Sequence, residues 1–140
     1  MIHIYELRLR NRIMVNEIMQ EVRMISNTSV YTIDPESRSE QSLSEHTYKQ
    51  IDPVELTDDV LKEYGFTYHD HFKCWQLKVS GIRSEMDINT NYDVLDFLGK
   101  PIIRKLASLH QLQNAYFALK GRELKAVTET KPVITESMKY

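Results

Sequence analysis

Toward its end the chain carries Leu106, Leu109, Leu112, Tyr116 and Leu119, apolar residues stepping by three and four. That spacing draws one apolar stripe down an α-helix, and the two-residue period of a strand does not reproduce it. Gly121 follows as a left-handed C′ residue, with Lys120 and Arg122 placed against the negative helix end. The spacing therefore predicts one long C-terminal helix with a single face to bury, and a fold has to supply the surface that covers it.

The first third supplies candidates for that surface. Ile2 and Ile4 alternate with His3 and Tyr5, and Leu7 and Leu9 alternate with Arg8 and Arg10. The change of phase near Tyr5 hints at a bulge or a loose start. Ile13 to Val15, Ile18 to Ile25 and Val30 to Ile33 continue the pattern, with Asn16-Glu17 as a turn. Short strands this close together predict a small, bent antiparallel sheet or a barrel.

Residues 34–50, DPESRSEQSLSEHTYKQ, hold too few apolar side chains to pack and read as a polar, disordered or functional loop, with a strand near Tyr48 to Ile51. Thr57 then reads as an N-cap, Asp58 and Asp59 set negative charge in the first turn, and Leu56 staples onto Leu61. Gly65 supplies a left-handed end over which Phe66 folds back. Phe72 to Val79 and Ile82 to Ile88 read as a hairpin about Ser80-Gly81, and Tyr92 to Leu98 fits a strand or a short helix. The fold class is thus α+β: a bent antiparallel or barrel-like N-terminal sheet, one short capped helix, a β-hairpin and the long helix packed on the sheet. Residues 1–125 read as a single domain and 126–140 as a loose tail.

At 140 residues, 41% hydrophobic and 27% charged, the chain needs no staples to bury a core. No run approaches the roughly 20 apolar residues of a membrane span. The N-terminus lacks a secretory pattern, and Cys74 is the only cysteine, which suits a reducing cytoplasm. A net charge of −2 hides a split, with two basic residues against eight acidic ones over 26–59 and seven against three over 101–140. Such asymmetry either guides a partner or keeps the surface hydrated.

Two constellations are candidate binding surfaces. On the long helix stand His110, Gln111, Gln113 and Asn114; His110, Asn114 and Phe117 lie on adjacent ridges. Imidazole and carboxamides both donate and accept, so this face suits a peptide backbone, a base edge or the chain's own strand ends. Arg8, Arg10 and Arg12 share one parity, so a continuous strand would present all three on one face. They would meet phosphates or acidic side chains, or else guard an exposed strand. His69, Asp70 and His71 lack the further ligands a zinc site needs, and Cys74 reads as a small core residue. No nucleophile elbow, phosphate-cradling glycine loop or dinucleotide fingerprint occurs. The residues thus indicate no catalytic residue, no metal and no cofactor.

Three blocks, ELRLRN (6–11), PVELTDDVLKEYGF (53–66) and HQLQNAYFALKGREL (110–124), carry a resemblance. In order and spacing they resemble small, mostly uncharacterised proteins encoded by phages and mobile elements of Bacteroidetes. The likeness covers 4–15, 51–66 and 102–124. This chain departs from the pattern at Arg10, where members show glycine, and at Ala115 and Lys120, where they favour leucine and threonine. The resemblance implies a phage or mobile-element accessory protein in a bacterial host cytoplasm and carries over no catalytic residue. The expected function is non-enzymatic binding of a host or phage protein. The expected surfaces are the acidic loop from Glu36 to Glu45 and the polar helix face. The alternative is nucleic-acid binding by a small β-barrel, with the three arginines on phosphates and Tyr5 or Tyr31 stacking on bases; a pI near 6.2 argues against it.

Overall fold

The turn at Asn16-Glu17 organises the first sheet. Both residues take positive φ (50° and 67°), the backbone of a two-residue hairpin turn whose twist matches the strands it joins. In the computed structural model, which describes residues 2–36, 43–78 and 83–128, it joins β1 (Arg12–Val15) to β2 (Ile18–Ile25). Val15 pairs with Ile18 and Arg12 with Glu21. With β3 (Ser29–Ile33), β4 (Ser44–Thr47) and β5 (Ile51–Pro53), these strands form an antiparallel sheet ordered β4-β3-β2-β1-β5. Ile2, Ile13, Val15, Val22, Val30 and Ile51 form its buried cluster, with Leu7, Ile25 and Tyr48 packed against it. The Tyr48 hydroxyl donates to the Ser26 carbonyl at 2.7 Å, so this half-buried ring keeps its polar end satisfied.

A second antiparallel sheet follows α1 (Asp58–Glu63): β6 (Phe66–His69), β7 (Cys74–Leu77), β8 (Met86–Asn89), β9 (Val94–Leu95) and β10 (Pro101–Ile103), ordered β10-β9-β8-β7-β6. The long C-terminal helix is α2 (Leu109–Lys120). The chain divides into two compact units, one of Met1–Glu55 with Ser108–Asn114, the other of Leu56–Ala107 with Ala115–Tyr140. The first half of α2 thus counts with the first unit and the second half with the other. Among the described residues, no helix is long and apolar enough to cross a membrane.

The α+β class and the long C-terminal helix are present, and so are the helix ends read in the sequence. The Val60 N–H donates to Thr57 Oγ1 at 3.2 Å, and Gly65 sits at φ 92°. Leu56, Leu61 and Phe66 are buried. The expected single sheet plus hairpin is corrected to two five-stranded sheets. The hairpin is there as β7 and β8, but β6, β9 and β10 are two to four residues long, too short to show a period. The turn expected at Ser80-Gly81 lies outside the described residues, as do 37–42 of the polar loop and most of the tail. Within the loop, Ser44–Thr47 is a strand, with Ser29 Oγ donating to Glu45 Oε2 at 2.7 Å. The strand placed near Tyr48 to Ile51 begins instead at Ile51, after a 3-10 turn over Tyr48–Gln50.

The largest departure lies before β1. Instead of a strand, Ile4–Glu6 forms a 3-10 turn, with the Glu6 carboxylate accepting the His3 N–H at 2.8 Å. The backbone then bends through Arg10, at φ 79°. A side chain in this left-handed region costs about 1–2 kcal/mol that glycine avoids. Arg10→Gly is therefore expected to stabilise the chain by about 1 kcal/mol, net of the extra freedom glycine has when unfolded. Urea unfolding reads this directly, and a loss of stability would show that the arginine side chain contributes more than its backbone costs.

Candidate functional site

Where residues 8–11 leave the extended form, the Arg10 N–H still donates to the Val22 carbonyl of β2 at 2.8 Å and the Asn11 carbonyl accepts the Val22 N–H at 2.9 Å, while neighbouring backbone groups find partners outside the ladder. Two are met locally: the Arg8 N–H donates to Asn11 Oδ1 at 2.8 Å, and the Asn11 N–H to the Arg8 carbonyl at 3.1 Å. Others come from α2. The Arg12 N–H donates to Gln113 Oε1 at 2.9 Å, Gln113 Nε2 reaches the Arg10 carbonyl at 3.5 Å, and Asn114 Nδ2 donates to the Glu6 carbonyl at 2.7 Å. Asn11, fully buried, donates through Nδ2 to Asn114 Oδ1 at 2.8 Å and, at 3.4 Å, to Gln113 Oε1. Side-chain amides one helix position apart thus complete the hydrogen bonding of a bent segment more than a hundred residues away. Gln111 is half-buried at the neighbouring position.

His110 extends this network at the helix start. The isolated bridge of Glu55 to Ser108, and the Leu109 N–H on the Val54 carbonyl at 2.8 Å, place that start beside β5. The imidazole sits between Ser108 Oγ, 3.1 Å from Nδ1, and Glu6 Oε1, 3.4 Å from Nε2. Serine, histidine and acid in one line are the components of a nucleophilic relay, yet the accessibility runs the wrong way. Ser108 is 3% exposed while the Glu6 side chain is 40% exposed, so the hydroxyl that would attack is walled off and the orienting acid faces water. What the line does well is fix the ring and, through it, the first turn of α2.

Burial pushes the His110 pKa below its ordinary 6.5, and the hydrogen bond and charge of Glu6 offset only part of this. The Glu6 carboxyl lies below its ordinary value, chiefly because it accepts the His3 backbone N–H. The folded histidine thus takes a proton less readily than the unfolded one. Stability should be full above 6.5 and decline as the pH falls from there toward the folded value. Unfolding midpoints measured from pH 7.5 to 5.5 should fall, and less steeply in His110→Gln. Parallel profiles would remove His110 as the cause.

The arginine stripe does not form. Arg8 Nε donates to Asn114 Oδ1 at 3.2 Å. Arg10 and Arg12 turn to the buried Glu21, at 3.6 and 3.3 Å, where Arg23 also arrives at 2.6 Å. Counting outward from the Asn16-Glu17 turn sets Arg12 opposite Glu21, a signal already present in the sequence. Tyr5 stands exposed, its ring stacked on His3 at 6.2 Å, whereas Tyr31 is half-buried. His69 and His71 lie against Phe72, with centroids at 5.3 and 4.9 Å. Among the described residues, no group of three His, Cys, Asp or Glu side chains could hold a metal ion. Cys74 is buried, and desolvation, with the Asp87 charge, raises its thiol pKa.

A different surface emerges in the second unit. Asp96 braces the turn between β9 and β10: its Oδ1 accepts the Leu98 and Lys100 N–H groups, both at 2.9 Å, and Gly99 takes φ 81°. The braced turn holds Phe97 out at 94% exposure and Leu98 at 67%. Phe97, Ile102 and Leu119 border one hollow of about 290 Å³. Lys100 and Arg104 stand exposed along the same hairpin.

Comparison with protein-family models, curated proteins and solved structures finds no match. The reading of function therefore rests on this geometry and on the sequence blocks alone.

Proposed function

We propose that this chain is a non-enzymatic accessory protein of a phage or mobile element that binds a host or phage protein in the bacterial cytoplasm. The observation that carries the binding reading is the Phe97-Leu98 turn. An aromatic and an aliphatic side chain held in water by a braced hairpin, continuous with Ile102 and Leu119 and rimmed by charge, is the anatomy of an interaction patch. The three sequence blocks support the phage setting. The binding surface moves with this finding: Gln113 and Asn114 of α2 bond the chain's own backbone, His110 bonds the Ser108 and Glu6 side chains, and residues 37–42 of the acidic loop lie outside those described. Nucleic-acid binding loses support because Arg10 and Arg12 share the Glu21 carboxylate.

The test is co-purification from the bacterial host with the wild type and with Phe97→Asp/Leu98→Asp. A discrete protein recovered in stoichiometric amount and reduced about tenfold or more by the variant is expected, since central apolar anchors carry over about 2 kcal/mol each. Recovery that the variant leaves unchanged, or no discrete partner at all, defeats the reading. Circular dichroism should show the variant folded, because both side chains project into solvent.

A further inference from the structure

A second concavity in the same unit has a different chemistry. It lies where Gly65, ending α1, faces β7 and the segment that follows α2. A Cβ on Gly65 would stand 3.3 Å from Leu77 Cδ1 and 3.6 Å from Val127 Cγ2, so glycine at the helix end also leaves space between these side chains. The resulting cleft measures about 640 Å³, within the range of roughly 300–1,000 Å³ typical of small-molecule sites. Tyr64, Leu77, Leu124 and Val127 give it apolar lining; of its three cations Lys78, Arg122 and Lys125, Arg122 is paired with Glu85, which leaves the two lysines against the one carboxylate of Glu123.

The cationic rim is partly preset. Arg122 donates to Glu85 and lies over the Tyr116 ring, 5.6 Å from its centroid. The Tyr116 hydroxyl donates to the other Glu85 oxygen at 2.7 Å. Burial first, and then Glu85, push its pKa up to about 12, so this phenol remains protonated and gives the cleft no base. Apolar lining under a net positive rim suits a ligand with one greasy end and one negative end; a bare inorganic anion would leave the lining unfilled.

We propose that this cleft binds a singly charged anionic amphiphile the size of a medium-chain carboxylate, its chain along Tyr64, Leu77, Leu124 and Val127 and its head at Lys78 and Lys125. The site is separate from the Phe97-Leu98 patch, and neither depends on the other. Titration calorimetry of the full chain with decanoate and with decanol, its uncharged twin, tests it. The expected result is saturable binding of decanoate at one site, about tenfold tighter than decanol. Lys125→Glu should weaken decanoate about tenfold and leave decanol unchanged; Val127→Asp should abolish both. Both positions are exposed, so folding is not at stake, and amide shifts at Tyr64, Leu77 and Leu124 should report the ligand. Absence of saturable binding, equal affinity for the two probes, or indifference to Lys125→Glu overturns the proposal. So does decanoate binding that emerges only when residues 129–140 are deleted.

Discussion

Asn11→Ala is expected to cost about 3 kcal/mol, although it removes only three heavy atoms. The side chain is fully buried and works at both ends: Oδ1 accepts the Arg8 N–H, and Nδ2 donates to Asn114 and Gln113. Alanine takes away one amide oxygen acceptor and one amide N–H donor group at once. Each buried polar group left without its partner costs roughly 1–3 kcal/mol, well above the net worth of an average hydrogen bond. Equilibrium urea unfolding measures the total; a loss under about 1 kcal/mol would mean that the bend at residues 8–11 holds without the amide. Pairing the change with Asn114→Ala gives the decisive number. Directly bonded amides should couple by roughly 0.5–3 kcal/mol, so the double variant should lose less than the two single losses combined. Simple additivity would dissolve the network into independent contacts.

Glu21→Leu carries the second large effect. Its side chain is 9% exposed and serves three guanidinium groups, of which that of Arg12 is 13% exposed, whereas Arg10 and Arg23 reach water. Removing a buried carboxylate from a charge in so little water costs roughly 3–5 kcal/mol. Replacing the whole pair is a different matter, because an apolar pair needs no desolvation. Arg12→Met combined with Glu21→Leu should therefore recover most of the loss. If the double variant is no more stable than Glu21→Leu alone, the cost comes from packing and not from charge.

Legibility in the sequence followed how local the governing physics was. Thr57, Leu61, Gly65 and Phe66 specify the short helix within ten residues, and the structure repeats them. Asn16-Glu17 likewise announces a turn through neighbours only. The second sheet was hidden because Val94–Leu95 and Pro101–Ile103 are shorter than any period they could display. Residues 2–10 misled for the opposite reason: their alternation is genuine, yet the bend at Arg10 and the amides of α2 override it. The same holds at the site. His110, Gln113 and Asn114 stood out as an odd polar set, but their partners Glu6, Asn11 and Arg12 lie about a hundred residues earlier, and no spacing rule joins them. Ser108 gave no signal beyond preceding the helix. Phe97-Leu98 is silent in the sequence because an apolar dipeptide beside Gly99 fits the end of a strand or of a short helix, and only its exposure sets it apart.

The amides of Gln113 and Asn114 bear on the order of events during synthesis. The first unit cannot complete its hydrogen bonding with what lies between residues 2 and 55, since donors and acceptors at residues 6 to 12 wait for side chains that a ribosome adds some hundred residues later. Its early sheet must emerge with an unfinished margin, and closing a loop of that length is an entropic step that local contacts do not repay in advance. Translation would then set the earliest moment of its completion, at the arrival of residue 114.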